Sequence, residues 1–243
     1  MARTLVGICA LLLAACAGTY IPPGAPADLQ LFTPPDMKEA FALKPVARFP
    51  ATIAAVRVQA PSYANYALRK DGGGVWGDGR YTVVTVRDVE DDAQYDRIVH
   101  LPALAGLATM NRMLLPSQLA SDRELREAAA RLQADMILIY TFDTAFFDSN
   151  LSRPLTIITL GLAPTRKAYI STTASALLLD TRTGYLYAAL EETAKSQVIS
   201  TSWGNGDSMD EARRRNEHDS FDRLVDDFTA AWPKIVAQNS KHG

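Results

Sequence analysis

The sequence predicts an α/β (α+β) domain: a single mixed β-sheet with helices packed on one face and a long C-terminal helix. Three observations predict it. "SDRELREAAARLQ" patterns as a capped amphipathic helix and runs at once into "ADMILIYTFDT", where Met136 to Phe142 is nearly all apolar, as in a strand covered on both faces. Three further strand candidates follow at residues 155–162, 168–180 and 185–197. From about residue 208 into the 230s, Phe221, Leu224, Val225, Phe228, Trp232 and Ile235 recur at helical spacing.

The elements take their order from local chemistry. "ATIAAVRVQA" opens the domain as a buried strand through Ile53, Val56 and Val58. Gly72, Gly74 and Gly77 match the G-x-G-x-x-G spacing of dinucleotide-binding loops, but that fingerprint must leave a strand and open a helix. Here the glycines lead into "RYTVVTVRDVE", a strand pattern, so a flexible hairpin loop is the better account. A short helix is expected near residues 91–100, and "AGLATMNRMLLP" reads as a buried element that Pro116 stops. Ser121 and Glu124 form a capping box, with Leu125, Ala128, Ala129 and Leu132 on one face. "LLLDTRTGYLYA" is a hairpin in which Asp180, Thr183 and Gly184 supply the turn. Ser208 and Glu211 make a second capping box for the last helix, which Pro233 is expected to kink or end early.

Ahead of the domain the chain divides in two. Residues 1–15 read as a secretory leader: Arg3 is the positive n-region, and Leu5 to Ala15 is apolar and far too short to span a bilayer. Leu13-Ala14-Ala15-Cys16 resembles the lipobox of bacterial lipoproteins. The resemblance implies that Cys16 becomes the first residue after cleavage and carries a diacylglycerol and an N-acyl chain. With Ala17 next, it implies the outer membrane, with the domain in the periplasm. An ordinary leader that happens to contain a cysteine is the alternative. Residues 16–47 hold Pro22, Pro23, Pro26, Pro34, Pro35 and Pro45 and read as a semi-rigid tether. Residues 48–243 are the domain.

The order strand, helix, strand, helix, strand, β-meander, helix behind a lipobox resembles the CsgG-like superfamily of bacterial lipoproteins. That group includes the curli-secretion channel lipoprotein and the outer-membrane activators of penicillin-binding proteins. Two stretches carry the likeness, "REAAARLQADMILIYTFDT" and "TTASALLLDTRTGYLYA", the latter placing Asp180, Thr183 and Gly184 on the family's hairpin positions. Residues 60–90 depart from the family pattern, which has a longer first helix there. The resemblance implies a binding or assembly module, and it brings no catalytic residues.

Composition narrows the chemistry. The formal net charge of −2 shows no basic footprint for nucleic acid. Cys9 leaves with the leader and Cys16 takes lipid, so no thiol remains for a disulfide, zinc or a nucleophile. Of the histidines His100, His218 and His242, His218 would share a helix face with Asp222 at i, i+4. A solvated helix face explains that pair better than metal ligation. No G-x-S-x-G elbow is present, and the adjacent Glu191 and Glu192 point to opposite faces of a strand. Neither a cofactor nor a metal is expected beyond the lipid.

Arg213, Arg214 and Arg215 read as the wet face of the last helix, with a partner-docking patch as the sharper alternative. Arg182 and Tyr185 at the hairpin turn are the other candidate contacts, since arginine and aromatic side chains most often anchor interfaces. The sequence therefore favours a non-enzymatic envelope interaction module that binds the membrane by its lipid and other envelope proteins by its surface, with room for a homo-oligomer. Two alternatives stand: an outer-membrane pore subunit, with "LTIITLGL" and "KAYISTTASALL" as wall strands, and a hydrolase or ligand-binding enzyme whose site is assembled from distant residues.

Overall fold

The computed structural model describes residues 20–150, 166–200 and 205–240. The leader, Cys16 and the strand candidate at 155–162 lie outside these residues. Helices and strands run in the order α1 (Met37–Ala42), β1 (Ala51–Gln59), α2 (Tyr66–Asp71), β2 (Val75–Trp76), β3 (Asp78–Gly79), β4 (Thr82–Val84), α3 (Asp92–Val99), β5 (Leu104–Thr109), β6 (Gln118–Leu119), α4 (Asp122–Arg131), β7 (Met136–Asn150), β8 (Arg166–Asp180), β9 (Leu186–Ser200) and α5 (Asn205–Asn239).

Seven strands form one mixed sheet in the order β2-β4-β1-β7-β8-β9, with β5 also on the β1 edge. β1 is parallel to β5 and β7, while β7, β8 and β9 form an antiparallel meander. The α/β class, the single mixed sheet and the long C-terminal helix are as the sequence predicts.

The placing of the helices is not. Ile53, Ala55, Met136, Leu138, Tyr140, Phe142, Ala176 and Leu178 point to one face, where α5 covers them with Phe221, Leu224, Phe228 and Trp232, and α3 adds Tyr95 and Ile98. Ala54, Val56, Ile137, Ile139 and Leu179 alternate to the other face, where Leu125, Ala128 and Ala129 of α4 cover them. The helices therefore sandwich the sheet, and the unbroken apolar run of β7 reflects burial on both sides.

The proline-rich segment is likewise no tether from Tyr20 onward. Phe32 is 1% exposed and packs edge-to-face on Tyr81 at 5.0 Å. The Ala27 amide donates to Thr141 Oγ1 at 3.0 Å, and Tyr20 packs on Phe146 and Tyr66. Ala27 and Phe32 extend the cover on the α4 face, while Tyr20 lies on the α5 face beside Phe146.

Other boundaries shift for local reasons. The glycine-rich stretch is only in part the loop expected: Gly72 caps α2, Val75–Trp76 and Asp78–Gly79 are strands, and Gly77 between them has φ +89°, where a Cβ would lie 2.3 Å from Leu119. The strand after it is confined to Thr82–Val84, and β5 is a half-exposed strand instead of a fully buried one. The capping box of Ser121 and Glu124 is present in full, and α3 carries its own box from Asp91 and Gln94.

Helix α5 starts at Asn205, which leaves Ser208 inside its first turn instead of capping it, and Asp207 favours the helix N-terminus. It also runs straight through Pro233. Trp232, fully buried, donates its indole N–H to Pro102 O at 2.8 Å, and Ile235 is buried one turn on. Anchors on both sides of the proline offset the backbone bond it removes.

Beyond Phe142 the meander outruns α4. One face stays under α5 through Ile170, Met209 and Ala212. The other is bare, with Phe147 63% exposed and a polar lattice of Thr173, Thr193 and Ser175–Glu191.

Docking of α5 is the largest apolar contribution on its face. Phe228→Ala should cost about 3 to 5 kcal/mol in urea unfolding; a variant as stable as the parent would contradict the packing described.

Candidate functional site

A lone arginine interrupts the apolar run of β1. Arg57 shares the face of Ile53 and Ala55, is buried, and needs partners there because an unpaired interior charge is very costly. Its Nη1 donates to Asp88 Oδ1 at 2.7 Å, and its Nη2 donates to the Tyr63 hydroxyl at 3.2 Å and to Glu217 Oε2 at 3.4 Å. Its guanidinium lies 4.6 Å from the centre of the Phe142 ring.

Helix α5 brings the second half of the cluster. Asp210, Arg213 and Glu217 share one helix face by their spacing. Arg213 Nε donates to Asp210 Oδ1 at 2.9 Å, Nη1 to Glu217 Oε2 at 2.5 Å and Nη2 to Asp88 Oδ2 at 3.3 Å. Asp88 and Glu217 are thus each shared by two guanidinium groups, and Thr144 Oγ1 donates to Glu217 Oε1. Burial pushes the Asp88 carboxyl up, but the charges and hydrogen bonds of Arg57 and Arg213 outweigh it and hold it below the usual carboxylate range.

Beside this cluster is a cavity of about 160 Å3 lined by Arg57, Thr85, Glu90, Tyr95, Asn111 and Tyr140 among others. The Tyr140 hydroxyl donates to Glu90 Oε1 at 2.9 Å and lies 2.9 Å from that of Tyr95. Burial, with the Glu90 charge behind it, pushes the Tyr95 hydroxyl up to about 12. Among the described residues Glu90 Oε2 and Arg57 Nε have no hydrogen-bond partner.

A second concavity lies at the hairpin turn. The buried Asp180 organises it: Oδ2 accepts from the amides of Val46 and Ala47 and from the Tyr187 hydroxyl, and Oδ1 accepts from the amides of Arg182 and Thr183. Thr183 Oγ1 donates to Lys44 O at 2.8 Å, and Gly184 takes φ +74°. The residues read as turn chemistry also clamp the N-terminal segment onto the hairpin. Between them is a groove of about 900 Å3 lined by Pro34, Phe41, Leu43, Lys44, Tyr185 and Leu186 among others. Phe41 is 82% exposed.

The predicted contact residues separate. Arg182 pairs with Asp135 at 3.2 Å, and Tyr185 packs edge-to-face on Tyr187 at the groove. Arg213 is not on a wet face: its side chain is 0% exposed, because its carboxylate partners lie inward. Arg214 and Arg215 remain at the surface, on Asp210 and Glu211. The groove borders Asn239 at the other end of α5, about 36 Å of helix away, so the arginines and the hairpin do not form one surface.

His218 lies against Asp91 and Asp219, and Asp222 is taken by Arg97 of α3. Among the described residues no cluster of His, Cys, Asp or Glu is arranged to hold a metal. No protein-family model matches the chain, and no curated protein matches it.

Sequence reasoning missed Arg57, Asp88, Glu90 and Glu217. The one available signal was an arginine within a strand otherwise apolar. Breaking the cluster by Arg213→Ala should cost about 3 to 5 kcal/mol, because the buried Asp88 and Glu217 each lose one of their two guanidinium partners and Asp210 loses its buried one. Arg215→Ala should leave urea unfolding essentially unchanged. Equal effects would contradict the buried placement of Arg213.

Proposed function

We propose that this chain is an outer-membrane lipoprotein, anchored through acyl chains on Cys16, whose periplasmic domain works as a non-enzymatic docking module for other envelope proteins. The observation that carries the reading is the groove at the hairpin turn. Its floor is apolar and aromatic, from Phe41, Leu43, Tyr185 and Leu186, and Lys44 stands at its rim. Burial of aromatic anchors supplies most of the energy in such interfaces. The charge of the rim favours an extended apolar segment flanked by acidic residues as the occupant.

The anchor supports the same reading. Cys16 is four residues from Tyr20, at most about 14 Å of chain. Tyr20 packs on Phe146, and from Phe146 to the turn at Asp180 is about 34 Å of strand. The groove is therefore at the end of the sheet away from the anchored residue, where a partner can reach it.

Labelled palmitate should enter the chain in a Gram-negative host and be absent from a Cys16→Ala variant; equal labelling of both would exclude the anchor. A photo-cross-linker at position 185 should give one discrete adduct that Phe41→Asp removes, and the same group at position 215 should give none. Adducts at 215 alone would move the docking surface to the helix.

A further inference from the structure

We propose that two copies of this chain pair edge to edge through β9, antiparallel about a two-fold axis at Thr193, so that one sheet runs through both. This goes beyond the docking reading and does not depend on it.

β9 ends the sheet, and among the described residues only β8 pairs with its 15 residues. An unpaired edge of that length is a template for a further strand. In an antiparallel ladder alternate residues turn both backbone groups to one neighbour, and the residues between turn theirs the other way. Thr193 belongs to the outward set. Its carbonyl accepts from Arg223 Nη1 of α5 at 2.7 Å. Its hydroxyl lies 2.9 Å from that of Thr173, the close approach of a pair that exchanges no backbone bonds. Ala189, Glu191, Lys195 and Gln197 share its parity, so their amides and carbonyls face outward too.

Helix α5 does not close this edge. It lies over β8 as well as β9, with Asn216 donating to Ile170 O of β8 at 3.0 Å. The exposed Arg223 reaches over the edge, and it makes no ion pair among the described residues. Asp227, one turn along the helix, gives its guanidinium a place when a strand arrives.

Charge selects a second copy as that strand. Glu191 and Lys195 stand two residues either side of Thr193, and both are exposed. Among the described residues Glu191 accepts from the Ser175 hydroxyl at 3.2 Å, and Lys195 has no carboxylate partner. Pairing centred on Thr193 sets Glu191 of each copy opposite Lys195 of the other. Two cross-strand ion pairs then form together by symmetry. Ala189 faces Gln197, and no like charges stand opposite each other. Centring on residue 191, 192 or 195 would set like charges opposite each other, and centring on 194 would lose both ion pairs. The axis is normal to the sheet, so two copies held through Cys16 share one membrane with their strands along its surface.

The test is sedimentation of the full chain in a non-ionic detergent, at concentrations up to about 100 µM. The parent should be a dimer, and Glu191→Lys and Lys195→Glu should each weaken it roughly tenfold or more. Mixing those two variants should restore the dimer, because each supplies the charge that the other lacks. The double variant, with both changes in one chain, should dimerise like the parent. Thr193→Pro should give a folded monomer, since the amide it removes faces outward and the β8–β9 ladder keeps its bonds. Circular dichroism checks the fold of each variant. A parent that stays monomeric, a folded Glu191→Lys or Thr193→Pro that dimerises like the parent, or a mixture no more associated than its components would overturn the proposal.

Discussion

The interior pairing of Arg57 on β1 with Arg213 on α5, through Asp88 and Glu217, is the constraint on which the rest of the molecule depends. Four charged side chains out of water are tolerable only if each finds its partners in good geometry. That requirement fixes three things at once: the depth of β1 in the sheet, the path of the chain between β4 and α3, and the rotation of α5. Turning α5 by one residue would move Arg213 off Asp88 and leave Asp88 to Arg57 alone. The apolar stripe of α5 sets the same rotation, since Phe221, Leu224, Val225 and Phe228 occupy one face of the helix and are all buried against the sheet.

From that fixed point the functional surfaces distribute themselves. The cluster lies where β1 changes neighbour, and the same geometry opens the cavity beside it. Toward the turn, Asp180 clamps residues 46–47 and shapes the groove. At the far end, Tyr20 leads the chain out beside Phe146. About 34 Å of strand thus separates Tyr20 from the groove, and α5 runs the distance between them.

Much of the fold was legible because its signals are local. The capping box of Ser121 and Glu124, the apolar run from Met136 and the turn chemistry of Asp180 and Gly184 each depend on residues within a few positions. What was not legible depends on distance. The unbroken apolar run of β7 says that both faces are covered but not by which helix, so no local pattern sets α4 opposite α5. Six prolines made residues 16–47 resemble a linker, although Phe32 and Ala27 enter the core. Arg213 sits between exposed arginines and among acids, and only its contact with Asp88, far away in sequence, shows it to be interior. The groove joins residues 34–45, 184–187 and 238–239, which no local pattern connects.

Native-state hydrogen exchange tests the central claim most directly. If the ionic cluster locks α5 to β1, amides of α5 around Arg213 to Glu217 and those of β1 around Val56 should exchange only through one common opening, with the same free energy. Asp88→Asn should lower both by the same amount. Faster exchange of the α5 amides than of β1, with β1 unmoved by Asp88→Asn, would show that the helix detaches on its own and would contradict the account.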